Sequence, residues 1–263
     1  MVKLMMNNTF RPLPTDHPFI VAEFNFQKEC ICKAKGIEIH VAQFDQQSFD
    51  DDLFYITNVY CPIAISQSVD KRKAEYFAGR YLVSKELQNL GFSHQPLEQN
   101  VDRSPRLPSD VIGSISHSND LATVAVLPSS NTNRENIGLD IQHLISSEVC
   151  DDIENMVATV QEVDLVVRYG LTRAEAVTLL FSAKEAIYKA LARFVSRGLD
   201  FKSAISNKRG VTPISSATLF NFSSSLPVIT TLAPSSTNCF AVSLPIPEFP
   251  PVNNMFDPLI SIE

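Results

Sequence analysis

Glycine is scarce in this chain, with eight in 263 residues. No Gly-x-x-x-x-Gly-Lys-Ser/Thr stretch occurs, so a P-loop is excluded, and the low glycine count argues against a dinucleotide-binding fold. No Gly-x-Ser-x-Gly turn is present either, so the nucleophile elbow of α/β-hydrolases is missing. The five cysteines, Cys30, Cys32, Cys61, Cys150 and Cys239, are odd in number and scattered, which is no disulfide framework. Cys30 and Cys32 form a lone Cys-x-Cys without the second ligand pair that a zinc site needs. Reduced thiols in a cytoplasmic protein are the expectation. Nothing approaches the run of about 18 apolar residues that a transmembrane segment requires, and the apolar stretch in MVKLMMNNTFRPLP is too short for a secretory signal. Charged residues make up 19%, and the net charge of −7 argues against a general nucleic-acid or membrane-surface role. Local basic clusters at Lys71–Lys73 and Arg103–Arg106 can still hold a small anion.

What is present is enough apolar residue, 44%, for one large domain or two modest ones. Residues 1–68 read as short strands and loops punctuated by Pro12, Pro14, Pro18 and Pro62, with alternation at Phe24 and Phe26 and at Ile37, Ile39 and Val41. A helix follows, with Asp70 as its expected cap and Gly91 as its stop. Ala74, Phe77, Ala78, Tyr81 and Leu82 form its apolar stripe, while Lys73, Arg80 and Ser84 lie towards other faces. VIGSIS and LATVAVL read as a hairpin turning at Ser118-Asn119-Asp120. PSSNTNREN, 128–136, has linker composition and marks the expected boundary between two halves, 1–130 and 131–263.

The second half opens on the strand NIGLDI. Its period of two sends Ile137, Leu139 and Ile141 to one face and Gly138, Asp140 and Gln142 to the other. Thr172 and Glu175 form a T-x-x-E capping box for the clearest helix in the chain. Leu180, Ile187, Leu191 and Phe194 are its buried stripe; Thr178, Ser182, Glu185, Lys189 and Arg193 are its polar one, and Gly198 is the expected stop. From 211 onward SATLFNF, LPVITTLA and CFAVSLPI return to β patterns, followed by a Pro-marked, irregular tail.

Three short stretches carry the chemistry: GSISHS at 113–118, IGLDIQ at 137–142 and FSAKEAIYK at 181–189. An aspartate in an aliphatic strand is unusual; Asp140 either caps a nearby turn or holds a cation. Glu185 either pairs with Lys189 across one helical turn or joins Asp140 at an octahedral Mg²⁺, which takes one or two carboxylates and leaves phosphates and waters the rest. Ser116 and His117 are either structural or donors to a phosphate oxygen. A Ser/His/Asp hydrolase is a weak alternative, because adjacent side chains diverge on a strand.

These motifs, together with KRKAEYFAGR at 71–80 and RSPRLP at 103–108, resemble the 4′-phosphopantetheinyl transferases of the surfactin-synthetase-activating type. Within that family the chain is most similar to the branch of enterobactin synthase component D, which serves siderophore assembly by nonribosomal peptide synthesis. The resemblance spans roughly residues 50–200. It implies an α+β fold of two pseudo-symmetric halves, a pseudo-dimer within one chain, with the active site and coenzyme A in the cleft between them. It implies transfer of the phosphopantetheine arm of coenzyme A to a serine hydroxyl of an apo peptidyl, aryl or acyl carrier protein, leaving adenosine 3′,5′-bisphosphate. Asp140 and Glu185 match the Mg²⁺ ligands, and Glu185 also matches the residue that takes the serine proton. Lys189 matches the lysine beside the pyrophosphate. Ser116, His117 and Arg103 match coenzyme contacts, with Arg72, Arg80 and Lys184 as further basic candidates. Many relatives carry a third acid where this chain has Gln142, which can offer a carbonyl oxygen or hold a metal-bound water. A monomer is expected. Two other readings remain: a carrier- or coenzyme-binding module without catalysis, supported only by Gln142, and a Mg²⁺-dependent phosphohydrolase.

Overall fold

The computed structural model describes residues 10–29, 36–92, 96–101, 103–129, 136–168 and 170–191, and four further strands at 204–207, 210–213, 230–232 and 239–246. The Cys30/Cys32 pair, Leu191's side chain, Arg193, Phe194, Gly198, the SATLFNF run and the Pro-marked tail lie outside what is described. Two compact units divide at Pro128/Ser129.

In the first unit, β1 (Ile20–Glu29), β2 (Gly36–Phe44), β3 (Val111–Ser118) and β4 (Leu121–Pro128) make one antiparallel sheet in the order β1-β2-β4-β3. The β3–β4 hairpin turns at Asn119-Asp120, with Ser118 opposite Leu121 and Asn119 at φ +50°, a conformation asparagine tolerates. Segment 45–68, read as loop and strand, contains two short helices, α1 (Asp52–Thr57) and α2 (Ile63–Ser66). Six and four residues are too few to signal themselves by periodicity. They exist because Leu53, Phe54 and Ile65 find a core to enter.

That core is aromatic. Phe77 of α3 (Asp70–Asn89) meets Phe19 at 5.2 Å and Phe54 at 5.3 Å between ring centroids, both edge-on. Ala74, Phe77, Ala78, Tyr81 and Leu82 all enter it. Val69, not Asp70, occupies the cap position of α3. Asp70 is the first helical residue, where its charge suits the helix dipole and lies 3.5 Å from Lys73 Nζ. The far end closes as expected: Gly91 sits at φ +82°, its N–H on Gln88 O and that of Phe92 on Leu87 O, a Schellman arrangement. The other faces of α3 are buried as well. Lys73 reaches Asp51 at 2.9 Å, Glu86 lies 2.9 Å from His40 Nε2, and Arg80 and Ser84 are nearly inaccessible.

In the second unit, β5 (Asn136–His143) pairs in parallel with β9 (Cys239–Ile246), which pairs antiparallel with β8 (Thr230–Leu232). β6 (Ala204–Asn207) and β7 (Gly210–Pro213) form a separate hairpin. Three helices follow β5: α4 (Ser147–Val157), α5 (Val160–Val167) and α6 (Arg173–Leu191). The capping box of α6 is present, Thr172 N donating to Glu175 Oε2 at 2.7 Å and Glu175 N to Thr172 Oγ1 at 3.3 Å. α5 has a second one, Thr159 with Glu162. Among the described residues no helix is long and apolar enough to cross a membrane, and Cys61 and Cys150 are free thiols.

Candidate active site

Gly138 decides how closely α6 lies on β5. A Cβ at position 138 would stand 1.9 Å from Ala186 O and 2.5 Å from Ala190 N. The helix backbone therefore rests directly on the strand, through the small residues Ala186 and Ala190. The face of β5 that carries Gly138 and Asp140 is thus the face that α6 covers, and Asp140 is buried. The aliphatic side, Ile137, Leu139 and Ile141, is buried too. The polar stripe of α6 is corrected, for Thr178 and Ser182 are fully buried. Thr178 Oγ1 accepts from Ile145 N at 3.1 Å and donates to Ala174 O at 2.7 Å, tying α6 to the chain two residues past β5.

On this contact the structure gathers Asp140, Glu185 and Lys189. Lys189 Nζ donates to Asp140 Oδ1 at 2.7 Å and to Leu139 O at 3.2 Å. Burial pushes the Glu185 carboxyl above its ordinary range; Lys189 opposes this and the negative Asp140 adds to it. Glu185 and Lys189 thus interact, as their spacing allows, but with Asp140 as a third member rather than as an isolated helical pair. Two carboxylates held together against desolvation make a place for a hard cation. Gln142, half-buried on the same side of β5, adds a neutral oxygen. Among the described residues no group of three His, Cys, Asp or Glu gathers, and the oxygens offered on this side of β5 and α6 are those of two acids and an amide. That set fits Mg²⁺, which binds through one or two carboxylates, and does not fit zinc. Replacing Gln142 by Glu adds a charge to this set. A titration of Mg²⁺ against initial rate should show half-maximal activity at a lower Mg²⁺ concentration for Gln142→Glu than for the unaltered protein. An unchanged or higher requirement removes Gln142 from the site.

Lys184, read as a coenzyme contact, is found elsewhere. Its side chain is 1% exposed and its Nζ lies 2.9 Å from Glu162 Oε1 and 3.0 Å from Val157 O. One step along a helix turns a side chain by about 100°, so Lys184 faces α4 and α5 while Glu185 faces β5.

The first unit assembles a basic group. Arg72 Nη1 stands 2.9 Å from His117 Nε2. A guanidinium only donates, so Nε2 accepts and the ring proton is on Nδ1, 3.6 Å from Glu75 Oε2. Arg80 is buried with its guanidinium 5.1 Å above the Tyr76 ring, and Nη2 donates to Arg103 O at 3.3 Å. Arg80 Nη1 and Tyr76 Oη have no hydrogen-bond partner among the described residues. Burial draws the Arg80 pKa down and pushes Tyr76 up to about 12. A buried guanidinium with an unsatisfied N–H is a ready anion contact. Arg103 itself is exposed, held at φ +67°, and it is its carbonyl rather than its side chain that meets Arg80. Ser116 is buried and alternates with His117 across β3, so the two side chains serve opposite faces.

Sequence reading passed over Tyr76, Glu75, Gly138 and Glu162. For the first two a signal existed: Tyr76 and Arg80 are four apart on one helix, and Arg72 and Glu75 are three apart. For Glu162 the capping box around Thr159 was legible, but not the lysine it meets.

Residues 62–127 match the model of the 4′-phosphopantetheinyl transferase N-terminal domain, and residues 136–230 that of the 4′-phosphopantetheinyl transferase superfamily. Enterobactin synthase component D of Escherichia coli O157:H7 is 30% identical over 178 residues, 67% of this chain and 82% of that protein. The same figures hold for that of Escherichia coli strain K12. Enterobactin synthase component D of Salmonella typhimurium is 32% identical over 156 residues, 59% of this chain and 62% of that protein.

Proposed function

The chain belongs to the 4′-phosphopantetheinyl transferase superfamily, enzymes that transfer phosphopantetheine to carrier proteins, and from that premise we propose how its own residues divide the work and which carriers it serves. The donor is coenzyme A, the acceptor a serine hydroxyl of an apo carrier protein, and the second product adenosine 3′,5′-bisphosphate. The carriers are the aryl and peptidyl carrier domains of a nonribosomal siderophore assembly line, a reading that rests on the likeness to enterobactin synthase component D. Residues 1–130 and 131–263 are the two functional halves. The first supplies coenzyme phosphate contacts, and the second supplies the metal ligands and the groups at the pyrophosphate.

The observation that carries this reading is the Asp140–Glu185–Lys189 cluster on β5 and α6. Asp140 and Glu185, with Gln142 beside them, would hold Mg²⁺, and the ion would supply neutralisation of pyrophosphate charge. Attack on phosphorus depends on positioning and charge rather than on covalent catalysis by the protein. Glu185 takes the proton of the serine hydroxyl. Lys189, which donates to Asp140 and to Leu139 O, offers its ammonium to the departing phosphate. Arg72 and His117 grip a coenzyme phosphate, and Arg80 and Ser116 add contacts in the same half.

Steady-state kinetics separates these roles. A contact made equally in ground and transition states changes KM, and one made only in the transition state changes kcat. Arg72→Ala, Arg103→Ala and His117→Ala should mainly raise KM for coenzyme A, and Lys189→Ala should mainly lower kcat. If Lys189→Ala alters KM alone, Lys189 is a binding group and its part at the leaving phosphate is withdrawn. The function itself is tested by incubating the protein with coenzyme A, Mg²⁺ and a panel of apo carriers, read by intact mass. Carrier modification together with adenosine bisphosphate is the expected result. Free phosphopantetheine would mean hydrolysis, and no reaction would mean binding alone.

A further inference from the structure

We propose that Glu162 is a positioning residue for Glu185, acting through Lys184: the buried ion pair between them sets the rotation of α6 about its own axis. Both side chains are 1% exposed. The Lys184 ammonium is shared between Glu162 Oε1 at 2.9 Å and Val157 O, the last carbonyl of α4, at 3.0 Å. The other oxygen of Glu162 accepts from Thr159 N at 2.8 Å and from Thr159 Oγ1 at 3.0 Å. One carboxylate therefore closes the first turn of α5 and anchors α6, and one ammonium meets the negative end of α4.

A pair this buried is a poor source of net stability. Replacing such a pair with apolar side chains of similar volume is often neutral or stabilising, because desolvation offsets the attraction. What the pair specifies is geometry. Rotation of α6 must be held, since Lys184 and Glu185 are consecutive and a turn of the helix that loosens one swings the other. The Gly138 contact sets the distance between β5 and α6, but a glycine under a helix backbone offers no side chain to stop rotation. Thr178 restrains the helix nearly two turns before Glu185. Lys189 restrains it one turn after, through the very carboxylate that a metal would claim. Leu179, Leu180 and Phe181 pack against Val163 and Val166, but apolar contacts fix a rotation loosely; among the described residues Lys184 is the polar restraint on the turn of Glu185 that is independent of the metal.

The inference rests on Asp140 and Glu185 being the metal ligands. Its test uses the full chain, with Mn²⁺ as the probe, in three forms: unaltered, Glu162→Gln, and the paired Glu162→Met with Lys184→Met. Mn²⁺ binding is followed by electron paramagnetic resonance, folding by thermal melting, and transfer by kcat and KM for coenzyme A. The paired variant should keep its melting temperature yet bind Mn²⁺ about 10-fold more weakly, the low end of the loss seen for direct outer partners of a metal ligand, because the pair acts on Glu185 only through the helix. Its kcat should fall while KM for coenzyme A stays within about two-fold, because no coenzyme contact changes. A folded paired variant, or a folded Glu162→Gln, with unaltered Mn²⁺ affinity and kcat overturns the positioning role alone. Failure of both variants to fold overturns it as well, since the pair would then be an element of stability. Failure of the unaltered protein to bind Mn²⁺ overturns the metal-site reading and this inference together.

Discussion

Gly138→Ala should lose transfer activity and melt below the unaltered protein. The added methyl has nowhere to go: its carbon would stand 1.9 Å from Ala186 O and 2.5 Å from Ala190 N, both backbone atoms that no rotamer change can clear. Either α6 lifts from β5 by more than an ångström or the strand bends. Overpacking of this kind costs about 1–3 kcal/mol, occasionally more. The functional cost is larger than the structural one. Asp140 sits on the strand and Glu185 and Lys189 on the helix, so any lift separates the two carboxylates and breaks the 2.7 Å contact between Lys189 and Asp140. A misplacement of about 1 Å at a reacting centre is enough for a roughly 100-fold loss of rate. Kinetics at saturating coenzyme A and carrier, beside a thermal melt, measures both. A Gly138→Ala protein with unaltered kcat and melting temperature would mean that α6 does not depend on β5 for its position.

Glu185→Gln should do the opposite to stability while also abolishing transfer. Burial raises the Glu185 pKa, so the folded protein binds this proton more tightly than the unfolded chain does. Stability contributed by this group therefore falls as pH rises from its ordinary pKa through the raised one. Above that range the folded state carries the full cost of a desolvated carboxylate. Glutamine has no charge to desolvate. Without divalent cations, Glu185→Gln should melt above the unaltered protein at about pH 8 and close to it at about pH 5. The same substitution removes a metal ligand and the proposed base, so transfer should drop by about 10²- to 10⁴-fold. Melting curves at the two pH values and a rate assay decide it. A gap that does not widen with pH, or a less stable Glu185→Gln protein, would show that the carboxylate is not strained by its surroundings. Substituting Asp140 is a poorer test, because it also removes the partner of Lys189 Nζ.

Much of the local structure was legible because it follows from residues close together in the chain. The hairpin at Asn119-Asp120 needs only a turn former between two alternating runs. The Gly91 closure of α3 and the Thr172–Glu175 box of α6 are likewise completed within a few residues. The strand with Asp140 and the helix with Glu185 and Lys189 could be named for the same reason. Segment 52–66 was misread because α1 and α2 are too short to show a period, and their stability comes from a distant core. Residue type alone points to Asp70 as the cap, whereas Val69 holds the cap conformation without offering a side-chain bond.

The sequence by itself determined the residue types that the chemistry needs and the order in which they occur: two acids on a strand and a helix, lysines beside them, a serine–histidine step and a run of basic residues on an earlier helix. Only the tertiary structure decided which of these charges work together. Lys184 and Lys189 lie on the same helix and look equivalent in the sequence. One is sealed against Glu162 and Val157, and the other holds Asp140. Arg72 and Arg80 are two turns apart on α3, yet the first meets His117 while the second is buried over Tyr76. Spacing along a helix gives the direction of a side chain relative to its neighbours. Whether that direction meets water, a carboxylate or an apolar wall depends on elements far away in the chain. For a charged group that difference in surroundings, through desolvation and pairing, outweighs anything its neighbours in sequence contribute.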